Sequence, residues 1–398
     1  VREGGEHRNG KRGLPGSAKM RIGIDVRTIL SNRRGFRRLR NLLRALVERP
    51  REDDFVFFAP GDLRPSAWPL PTRARWEEPL RRLRLLHRRG VRLIGSRAFR
   101  DLDVFHFPTG DVWYSKYAPT VVTLHDLTPL HCADRFFGTQ VEMRRYEKHL
   151  ERIVANADRI VTVSEYSRQD LLNTLGVEPG RVRVIYQGFE DVSGGASAEE
   201  QSRSVLSELS IPGPYLFYCG GLDFRKNVEG LLQAFAYYRH RLQGDRLLVI
   251  AGEPDPERGR LYPDLRQCAE REKVSECVLF SGWVEDEVLG ALYRRADAFV
   301  FPSLHEGFGY PPLEAMAAGC FPIVGEIEST REWIQDGLNG LLVDPRDLQQ
   351  LADAILSALA QPELRRKAAG HNRGIINEQA AQSATRPKIK RFYEQFLG

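Results

Sequence analysis

Cysteine is scarce in this chain of 398 residues, and the few copies present form no recognisable set. The five are Cys132, Cys219, Cys268, Cys277 and Cys320. Their odd number argues against a fully paired disulfide framework, and their scatter lacks the close pairwise spacing of zinc ligands. A chain without a disulfide framework is typical of a reducing compartment, so we expect a cytoplasmic protein.

Long apolar runs are also missing. No stretch approaches the roughly 20 uninterrupted apolar residues that a membrane-spanning helix needs. Residues 1–19 are polar and glycine-rich and lack the apolar core of a secretory signal, so we interpret them as a disordered extension or a misassigned upstream start. The whole composition, 42% hydrophobic and 28% charged, is that of an ordinary soluble protein. At about 100–200 residues per domain, the length predicts two or three domains.

Positive charge is concentrated near the start of the sequence. Residues 1–120 carry 27 Lys and Arg against 13 Asp and Glu, whereas the remainder carries 32 against 40. Nucleic acid is not expected as a partner, because the basic part lacks interleaved aromatics and any reading motif. Residues 77–95 mix Leu and Ile with Arg, which suits an anionic membrane surface, at the inner face of the cytoplasmic membrane, or a phosphate-bearing acceptor. The alternative is a solvated arginine-rich face.

Short β-branched runs alternate with helix-like segments along the whole chain. Apolar positions at helical spacing predict amphipathic helices over 35–49, 142–157 and 165–176, and a last one over 386–398. Strands that alternate with helices indicate parallel sheets covered on both faces. The predicted strands are 21–26, 54–59, 103–108, 120–126, 159–164 and 181–186, then 215–220, 246–252, 277–282, 298–303, 320–325 and 340–344.

The alternation is interrupted once, at residues 191–204. This stretch is small and polar, and we interpret it as a linker between an N-terminal domain (20–190) and a C-terminal domain (205–375). Residues 376–398 are expected to form a C-terminal helix that packs back toward the N-terminal domain. The fold class is therefore α/β, with two doubly wound, Rossmann-like parallel-sheet domains that face each other across a cleft, where ligands are expected at the carboxyl ends of the strands.

The first candidate site is the sequence "YCGGLDFRKNVEGLLQAFA", residues 218–236. A strand ends at Cys219, two glycines follow, and Arg225 and Lys226 stand just before a helix that Asn227 is suited to cap. The N-terminus of a helix attracts anions, and two adjacent cations strengthen that attraction. The pattern indicates either a phosphate site or a charged turn.

The second candidate site is "SLHEGFGYPPLEAMAAG", residues 303–319. The amides of Gly307, Phe308 and Gly309 are free to face an anion, and the two prolines that follow are tolerated in the first turn of a helix. Glu306 lies before that helix and Glu314 is expected in its first turn, so the two carboxylates are predicted to have separate tasks along one ligand. Stabilisation of the helix dipole is the alternative for Glu314, but it explains neither Glu306 nor the glycines.

These motifs together resemble those of a known enzyme family. "EGFGYPPLEAMAAG", with "GGLDFRKN" before it and "GLNGLLVDP" after it, is similar to the E-x7-E signature and its companions in retaining glycosyltransferases of family 4, which have the GT-B fold. In the first half, "MRIGIDVRTIL", "GFRRLRNLLRAL" and "VVTLHDLTPL" resemble the opening strand and helix and the histidine strand of that family. The resemblance extends from about Met20 to the C-terminus.

The resemblance implies a set of residues that bind a nucleotide-sugar donor. Glu306 would contact the sugar hydroxyls, Glu314 the ribose, and Lys226 the diphosphate, while Trp283 and Val284 would border the base with main-chain atoms. The implied donor set is Gly35, Gly221, Arg225, Lys226, Trp283, Val284, Glu306, Gly307, Phe308, Gly309, Tyr310 and Glu314. The implied catalytic residues are His125, Glu306, Arg225 and Lys226.

The sequence departs from the family pattern at two places. Gly221 stands where an arginine usually follows the strand, and the nearby Arg225 is the expected substitute. The glycine-rich loop of the first domain is replaced by "SNRRGF", in which Arg33 and Arg34 either contact phosphate of donor or acceptor or are solvated.

His125 ends the strand 120–126 and matches the histidine that lies near the reacting sugar in the family. A single histidine is otherwise more often structural. The adjacent Asp126 either contacts the acceptor or orients a loop.

The resemblance implies transfer of a hexose, with mannose suggested by the "HDLTPL" and "GGLDFRKN" variants, from a nucleoside diphosphate such as GDP to a hydroxyl of a glycan or lipid-linked acceptor in polysaccharide synthesis. We expect no metal and no cofactor, because Arg225, Lys226 and a helix N-terminus are available to stabilise the leaving diphosphate. The "DLD" of residues 101–103 is interpreted as a polar strand entry. The alternatives are another GT-B enzyme, such as a nucleotide-sugar epimerase or a phosphorylase, and a non-catalytic scaffold that binds a glycan or partner.

Overall fold

The computed structural model describes residues 20–25, 54–58, 75–77, 85–88, 91–94, 99–110, 114–115, 117–186, 188, 198–254 and 256–397. Several predictions concern residues outside these ranges. They are the extension 1–19, the helix 35–49, and the three site residues Arg33, Arg34 and Gly35.

The first half is built on a seven-stranded parallel sheet with the order β10-β9-β8-β6-β1-β2-β3. Its strands are nearly continuous apolar runs because a parallel sheet is buried on both faces, and all four residues of β6 are buried. The strands of this half are β1 Arg21–Asp25, β2 Asp54–Phe58, β3 Arg75–Glu77, β4 Leu85–Arg88, β5 Val91–Ile94, β6 Val104–Phe107, β7 Tyr114–Ser115, β8 Thr120–Thr123, β9 Arg159–Thr162 and β10 Val182–Val184.

A small second sheet was not predicted from the sequence. It has the order β4-β5-β7, with β4 antiparallel to β5 and β5 parallel to β7. Strands β3, β4 and β5 all fall within residues 61–98, where short runs broken by arginine and proline gave no clear period.

The helices of the first half begin and end at recognisable signals. Thr139 caps the helix Gln140–Asn156 by accepting a hydrogen bond from the amide of Glu142 at 3.2 Å. Ser164 caps the helix Glu165–Leu175 by accepting a hydrogen bond from the amide of Ser167 at 2.9 Å. That helix ends at Gly176, which adopts a left-handed conformation with φ of 61°. The α-helices are Thr128–His131, Ala133–Phe136, Gln140–Asn156 and Glu165–Leu175, and a 3-10 turn covers Pro179–Arg181.

The second half contains a six-stranded parallel sheet with the order β13-β12-β11-β14-β15-β16. The six strands predicted in this half are all present, as β11 Tyr215–Cys219, β12 Leu247–Ala251, β13 Val278–Gly282, β14 Ala298–Phe301, β15 Pro322–Gly325 and β16 Leu341–Val343. The α-helices are Ala198–Glu208, Val228–His240, Leu265–Arg271, Asp286–Arg295, Tyr310–Ala317, Glu328–Arg331, Leu348–Ala360, Pro362–Ile375 and Gln382–Glu394, with shorter turns at Phe224–Lys226, Pro256–Leu261, Ser275–Cys277 and Ile376–Ala380.

The predicted linker 191–204 is wrong from residue 198 onward, where the helix Ala198–Glu208 begins. This helix packs on the second half: Ser202 is fully buried, and its hydroxyl accepts from Nη2 of Arg294 at 3.0 Å. The helix has few apolar residues because only one of its faces is covered, and the sequence therefore resembles a polar linker.

The C-terminal helix Gln382–Glu394 returns to the first half. The hydroxyl of Tyr393 forms a hydrogen bond with Nδ1 of His106 on β6, and the other ring nitrogen of His106 is 2.8 Å from the hydroxyl of Thr123 on β8. Burial, with the nearby His125, lowers the pKa of His106 to about 3, so this imidazole is neutral.

No helix among the described residues combines the length and the apolar character needed to cross a membrane. None of the five cysteines forms a disulfide.

Candidate active site

The two halves meet where the loop after β14 touches the end of β8. A Cβ atom built on Gly307 would lie 2.9 Å from the Cβ of Asp126 and 2.9 Å from the main-chain oxygen of His125. Real Cβ contacts are essentially never that short, so the backbone at residue 307 can approach His125 and Asp126 this closely only as glycine. The "HD" and "EGFG" motifs, 180 residues apart in the sequence, are thus in direct contact.

Glu306 is the buried centre of this loop, with 3% of its surface exposed. Its carboxylate forms an ion pair with the ammonium of Lys226, accepts a hydrogen bond from the hydroxyl of Ser303 at 2.9 Å, and lies 3.8 Å from Nη1 of Arg225. The amide of Leu304 donates to the main-chain oxygen of Arg225 at 2.7 Å, which holds the two loops together. The structure therefore brings the two candidate motifs of the second half into one cluster.

The two cations of the cluster are held by different partners. Nε of Arg225 is 2.8 Å from Asp223, whereas the ammonium of Lys226 lies 5.2 Å above the ring of Phe301. Burial lowers the pKa of Lys226, although Glu306 opposes this effect. Burial also acts to lower the pKa of Arg225, but the carboxylates of Glu306 and Asp223 raise it above its ordinary value. Both carboxylates are thus committed to these cations, and an anion that enters would compete with them.

Gly221, where the family pattern places an arginine, lies against this cluster. A Cβ at residue 221 would be 2.9 Å from a carboxylate oxygen of Asp223 and 3.7 Å from Cε of Lys226. A side chain at 221 would therefore displace the carboxylate that holds Arg225.

The prediction that Asn227 caps the following helix is wrong. Asn227 precedes the helix Val228–His240 in a left-handed conformation with φ of 55°, and its side chain makes no capping bond. Its amide nitrogen donates instead to the main-chain oxygen of Pro345 at 2.5 Å. Asparagine tolerates this conformation better than most residues.

Glu314 is separate from the cluster around Glu306. It is the fifth residue of the helix Tyr310–Ala317, beyond the first turn, so the predicted first-turn position is wrong by one residue. The two prolines do lie at the helix start, and Gly309 precedes them with φ of 84°. Glu314 is buried, and Tyr293 donates to its carboxylate at 3.1 Å. Dipole stabilisation does not explain a buried acid at this position, because that effect falls off within the first turn.

Aromatic side chains support the loop from behind. The ring of Phe308 is 5% exposed and packs 5.0 Å from Tyr310, 5.5 Å from Trp333 and 5.9 Å from Tyr186. Such packing holds Phe308, and with it the centre of the loop, in place.

His305 contributes to this site and was not predicted from the sequence. Its Nδ1 is 2.7 Å from the hydroxyl of Thr128, and its Nε2 is 3.1 Å from the hydroxyl of Tyr166, both in the first half. The main-chain oxygen of Gly307 accepts from Ser164 at 2.5 Å and from Ser167 at 3.0 Å. The only indication of this role in the sequence is that His305 directly precedes Glu306. Its two partners, Thr128 and Tyr166, are more than 130 residues away in the sequence and cannot be identified from it.

Asp126 and His125 occupy different surroundings at the end of β8. Asp126 accepts from the amide of Thr128 at 2.9 Å, so it does orient the loop that follows. Burial acts to raise its pKa, but Arg225 and the hydrogen bonds from Thr128 lower it overall, so Asp126 is a carboxylate. His125 is half-buried, with Nε2 3.2 Å from the main-chain oxygen of Pro108.

Trp283 and Val284 follow directly after β13, at the carboxyl end of this strand of the second sheet. The side chain of Trp283 is 52% exposed, whereas Val284 packs against the core.

Asp101 and Asp103 lie directly before β6 of the first sheet, where Asp103 accepts a hydrogen bond from the amide of Arg21 at 2.7 Å. They form a polar strand entry, as expected. Over the described ranges, no group of three or more His, Cys, Asp or Glu is arranged to hold a metal ion.

Family models match both halves of the chain. The model of glycosyl transferases group 1 matches residues 207–373, and that of Glycosyltransferase Family 4 matches residues 36–191. The O-antigen chain mannosyltransferase B of Escherichia coli is 30% identical over 69% of this chain and 70% of its own length. The serotype-specific mannosyltransferase WbdA of Escherichia coli is 30% identical over 63% of this chain, which spans only 30% of that relative.

Solved structures support the fold. The sucrose-phosphate synthase from Thermosynechococcus elongatus has a TM-score of 0.70 and 20% identity, with 95% of this chain and 99% of that chain covered. Anabaena HepE in complex with UDP and glucose has a TM-score of 0.70 and 18% identity, with 94% and 100% covered. Together, the two family matches and the mannosyltransferase likeness lead to one conclusion: the chain belongs to family 4 of the glycosyltransferases and has their GT-B fold.

Proposed function

We propose that this glycosyltransferase moves a hexose, specifically mannose, from a nucleoside diphosphate to a hydroxyl of a glycan or lipid-linked acceptor, with retention of the anomeric configuration. The observation that carries the proposal is the cluster of Glu306, Lys226 and Arg225 in direct contact with the loop of His125 and Asp126. The cluster offers cations for a diphosphate and carboxylates for hydroxyl groups at one junction of the two halves.

The ion pairs of the cluster give a route to donor binding. A diphosphate near the helix start at Val228 would compete with Glu306 for Lys226 and Arg225. Its arrival would free oxygen atoms of Glu306 to accept hydrogen bonds from the hydroxyls of the donor sugar. Glu314, held by Tyr293, is the proposed partner of the ribose, while Trp283 and Val284 border the base.

In the transfer step, the bond from the anomeric carbon to the phosphate oxygen breaks, and the acceptor oxygen bonds to that carbon on the same face. The departing phosphate takes the proton of the acceptor hydroxyl. Arg225 and Lys226 stabilise the charge that develops on the phosphate. Approach of the two halves, already in contact at Gly307, excludes water from the reacting carbon. No step of this route needs a metal.

Mannose and GDP are proposed because the relatives named above are mannosyltransferases and because of the "HDLTPL" and "GGLDFRKN" variants. The synthesis of a cell-surface polysaccharide, by a cytoplasmic enzyme at the inner face of the membrane, suits the O-antigen relative and the basic first 120 residues.

Thermal unfolding in the presence of UDP-, GDP-, ADP- and dTDP-sugars tests the donor, because a ligand that binds the native state raises the melting temperature. We expect GDP-mannose to give the largest rise.

Glu306→Gln and Lys226→Met should each lower kcat/KM by a factor of about 100–1,000, the range found for loss of one stabilising group at a reacting charge. Lys367→Met, at an exposed helix position, is the matched control and should leave kcat/KM unchanged.

A non-catalytic scaffold predicts a different outcome. In that case no nucleotide sugar would be turned over, and Glu306→Ala would change neither donor binding nor product release. Formation of a product with inverted configuration, detected by NMR, would contradict the retaining mechanism alone.

A further inference from the structure

A cavity of about 790 Å³ lies beside the candidate active site, between the two halves of the chain. Its volume is within the range of roughly 300–1,000 Å³ that is usual for small-molecule sites. None of the proposed donor contacts lines it. The N-terminal wall consists of Pro129, Phe136, Phe137, Glu142, Arg145 and Tyr146, and the C-terminal wall of Gly259, Arg260 and Leu261.

The cavity adjoins the reacting centre through its N-terminal wall. The ring of Phe136 is 6.0 Å from the ring of Phe224, the residue directly before Arg225. Pro129 belongs to the helical turn whose first amide, that of Thr128, donates to Asp126. A ligand in the cavity would therefore extend from the junction at which the diphosphate cations meet the end of β8.

The lining has the chemistry of a saccharide site. The rings of Phe137 and Tyr146 lie 5.4 Å apart, and flat apolar ring faces suit the C–H face of a pyranose. Glu142 and Arg145, on the same helix, supply an acceptor and donors for hydroxyl groups.

The charge of the lining favours a neutral ligand over a phosphate. Glu142 is 4.0 Å from Arg260, so these two charges offset each other and leave a single cation, Arg145. The Arg225–Lys226 cluster, in contrast, places two adjacent cations on the carboxylate of Glu306. Arg260 also donates to the main-chain oxygen of Phe136, so the cavity is complete only while the two halves are in contact.

We propose that this cavity binds the saccharide part of the acceptor, at one or more units from the hydroxyl that receives the sugar. The assignment rests on the proposed transferase function. Binding of further sugar units in this cavity makes the enzyme selective for an oligosaccharide acceptor over a single sugar.

Kinetics with acceptors of increasing length test the proposal. With the full chain and GDP-mannose, the KM for methyl α-mannoside should be at least tenfold higher than the KM for α-mannotriose. In Arg145→Ala and in Tyr146→Ala this difference should shrink to about twofold or less, while the KM for the donor and its hydrolysis without acceptor stay unchanged. Arg144→Ala, at the neighbouring exposed position outside the cavity, is the matched control and should keep the tenfold difference.

Calorimetric binding of α-mannotriose separates failure of this proposal from failure of the proposed function. Saturable binding to the wild type that Arg145→Ala weakens at least tenfold supports the cavity, even if no donor is turned over. Equal binding to wild type and variant, or no saturable binding to the wild type, overturns it. Tighter binding of inorganic pyrophosphate that Arg145→Ala abolishes would identify an anion site and also overturn it.

Discussion

At the scale of single residues, Gly307 determines how closely the two halves approach. Its missing Cβ leaves room for the main chain of His125 and the side chain of Asp126. The same residue presents its main-chain oxygen to Ser164 and Ser167. This glycine is therefore needed for a contact between domains, in addition to any ligand that its amide binds.

We predict that Gly307→Ala lowers kcat/KM at least tenfold, equivalent to about 1.4 kcal/mol, because the added methyl group separates His125 from the cluster of Glu306. Steady-state kinetics with the best donor measures this change. The control is Gly370→Ala, a helix position with nothing within 4 Å of the added atom. The control should retain activity and raise the free energy of unfolding by about 0.5–1 kcal/mol. Activity of Gly307→Ala within twofold of the wild type would contradict the steric argument.

At the scale of elements, the loop between β14 and the helix Tyr310–Ala317 connects the two halves. His305 bonds to Thr128 and Tyr166, and the next residue, Glu306, bonds to Lys226. A displacement of the first half is thus transmitted directly to the carboxylate of Glu306. His305 is in this sense a positioning residue. Burial lowers its pKa, which keeps the imidazole neutral and able to accept one bond while it donates the other.

Loss of that connection should affect kcat more than donor binding. We expect His305→Ala to lower kcat about tenfold and to leave the dissociation constant of the free nucleoside diphosphate within threefold, because Arg225 and Lys226 remain. A double-mutant cycle with Tyr166→Phe should give a coupling of about 0.5–3 kcal/mol in kcat/KM. His305→Gln, which retains a donor and an acceptor, should restore part of the loss. Additive effects of the two substitutions would show that His305 does not act through Tyr166.

Sequence patterns predicted elements with a clear period better than contacts between distant residues. The strands predicted over 215–344 are all present, because buried parallel strands leave uninterrupted apolar runs. The helix from Ala198 resembles a polar linker because its apolar residues are few, and β3 to β5 show no clear period because they are short and broken by arginine and proline. Glu306 and Glu314 were found from their motif, but the roles of Tyr293 and His305 depend on packing between segments far apart in the sequence.

At the scale of the whole molecule, the C-terminal helix completes the first domain. Nε2 of His106 forms its hydrogen bond within the sheet, with Thr123, whereas Nδ1 forms its hydrogen bond with Tyr393 of the C-terminal helix. The imidazole is fully enclosed by β6, β8 and this helix, and its pKa is lowered to about 3. The C-terminal helix and the first sheet are therefore joined through an imidazole that is neutral.

This network predicts that acid destabilises the protein through His106. The unfolded state takes up a proton on this histidine below its ordinary pKa of 6.5, whereas the folded state does so only near pH 3. Between these limits the unfolded state binds more protons, so stability falls as the pH falls, by about 1.4 kcal/mol per unit from this residue. Urea unfolding between pH 6 and pH 4 should reveal this slope. His106→Gln, which keeps a donor and an acceptor but does not titrate, should reduce the slope by that amount, whereas His371→Gln at an exposed helix position should leave it unchanged. A slope that is the same in wild type and His106→Gln would mean that other groups cause the acid sensitivity.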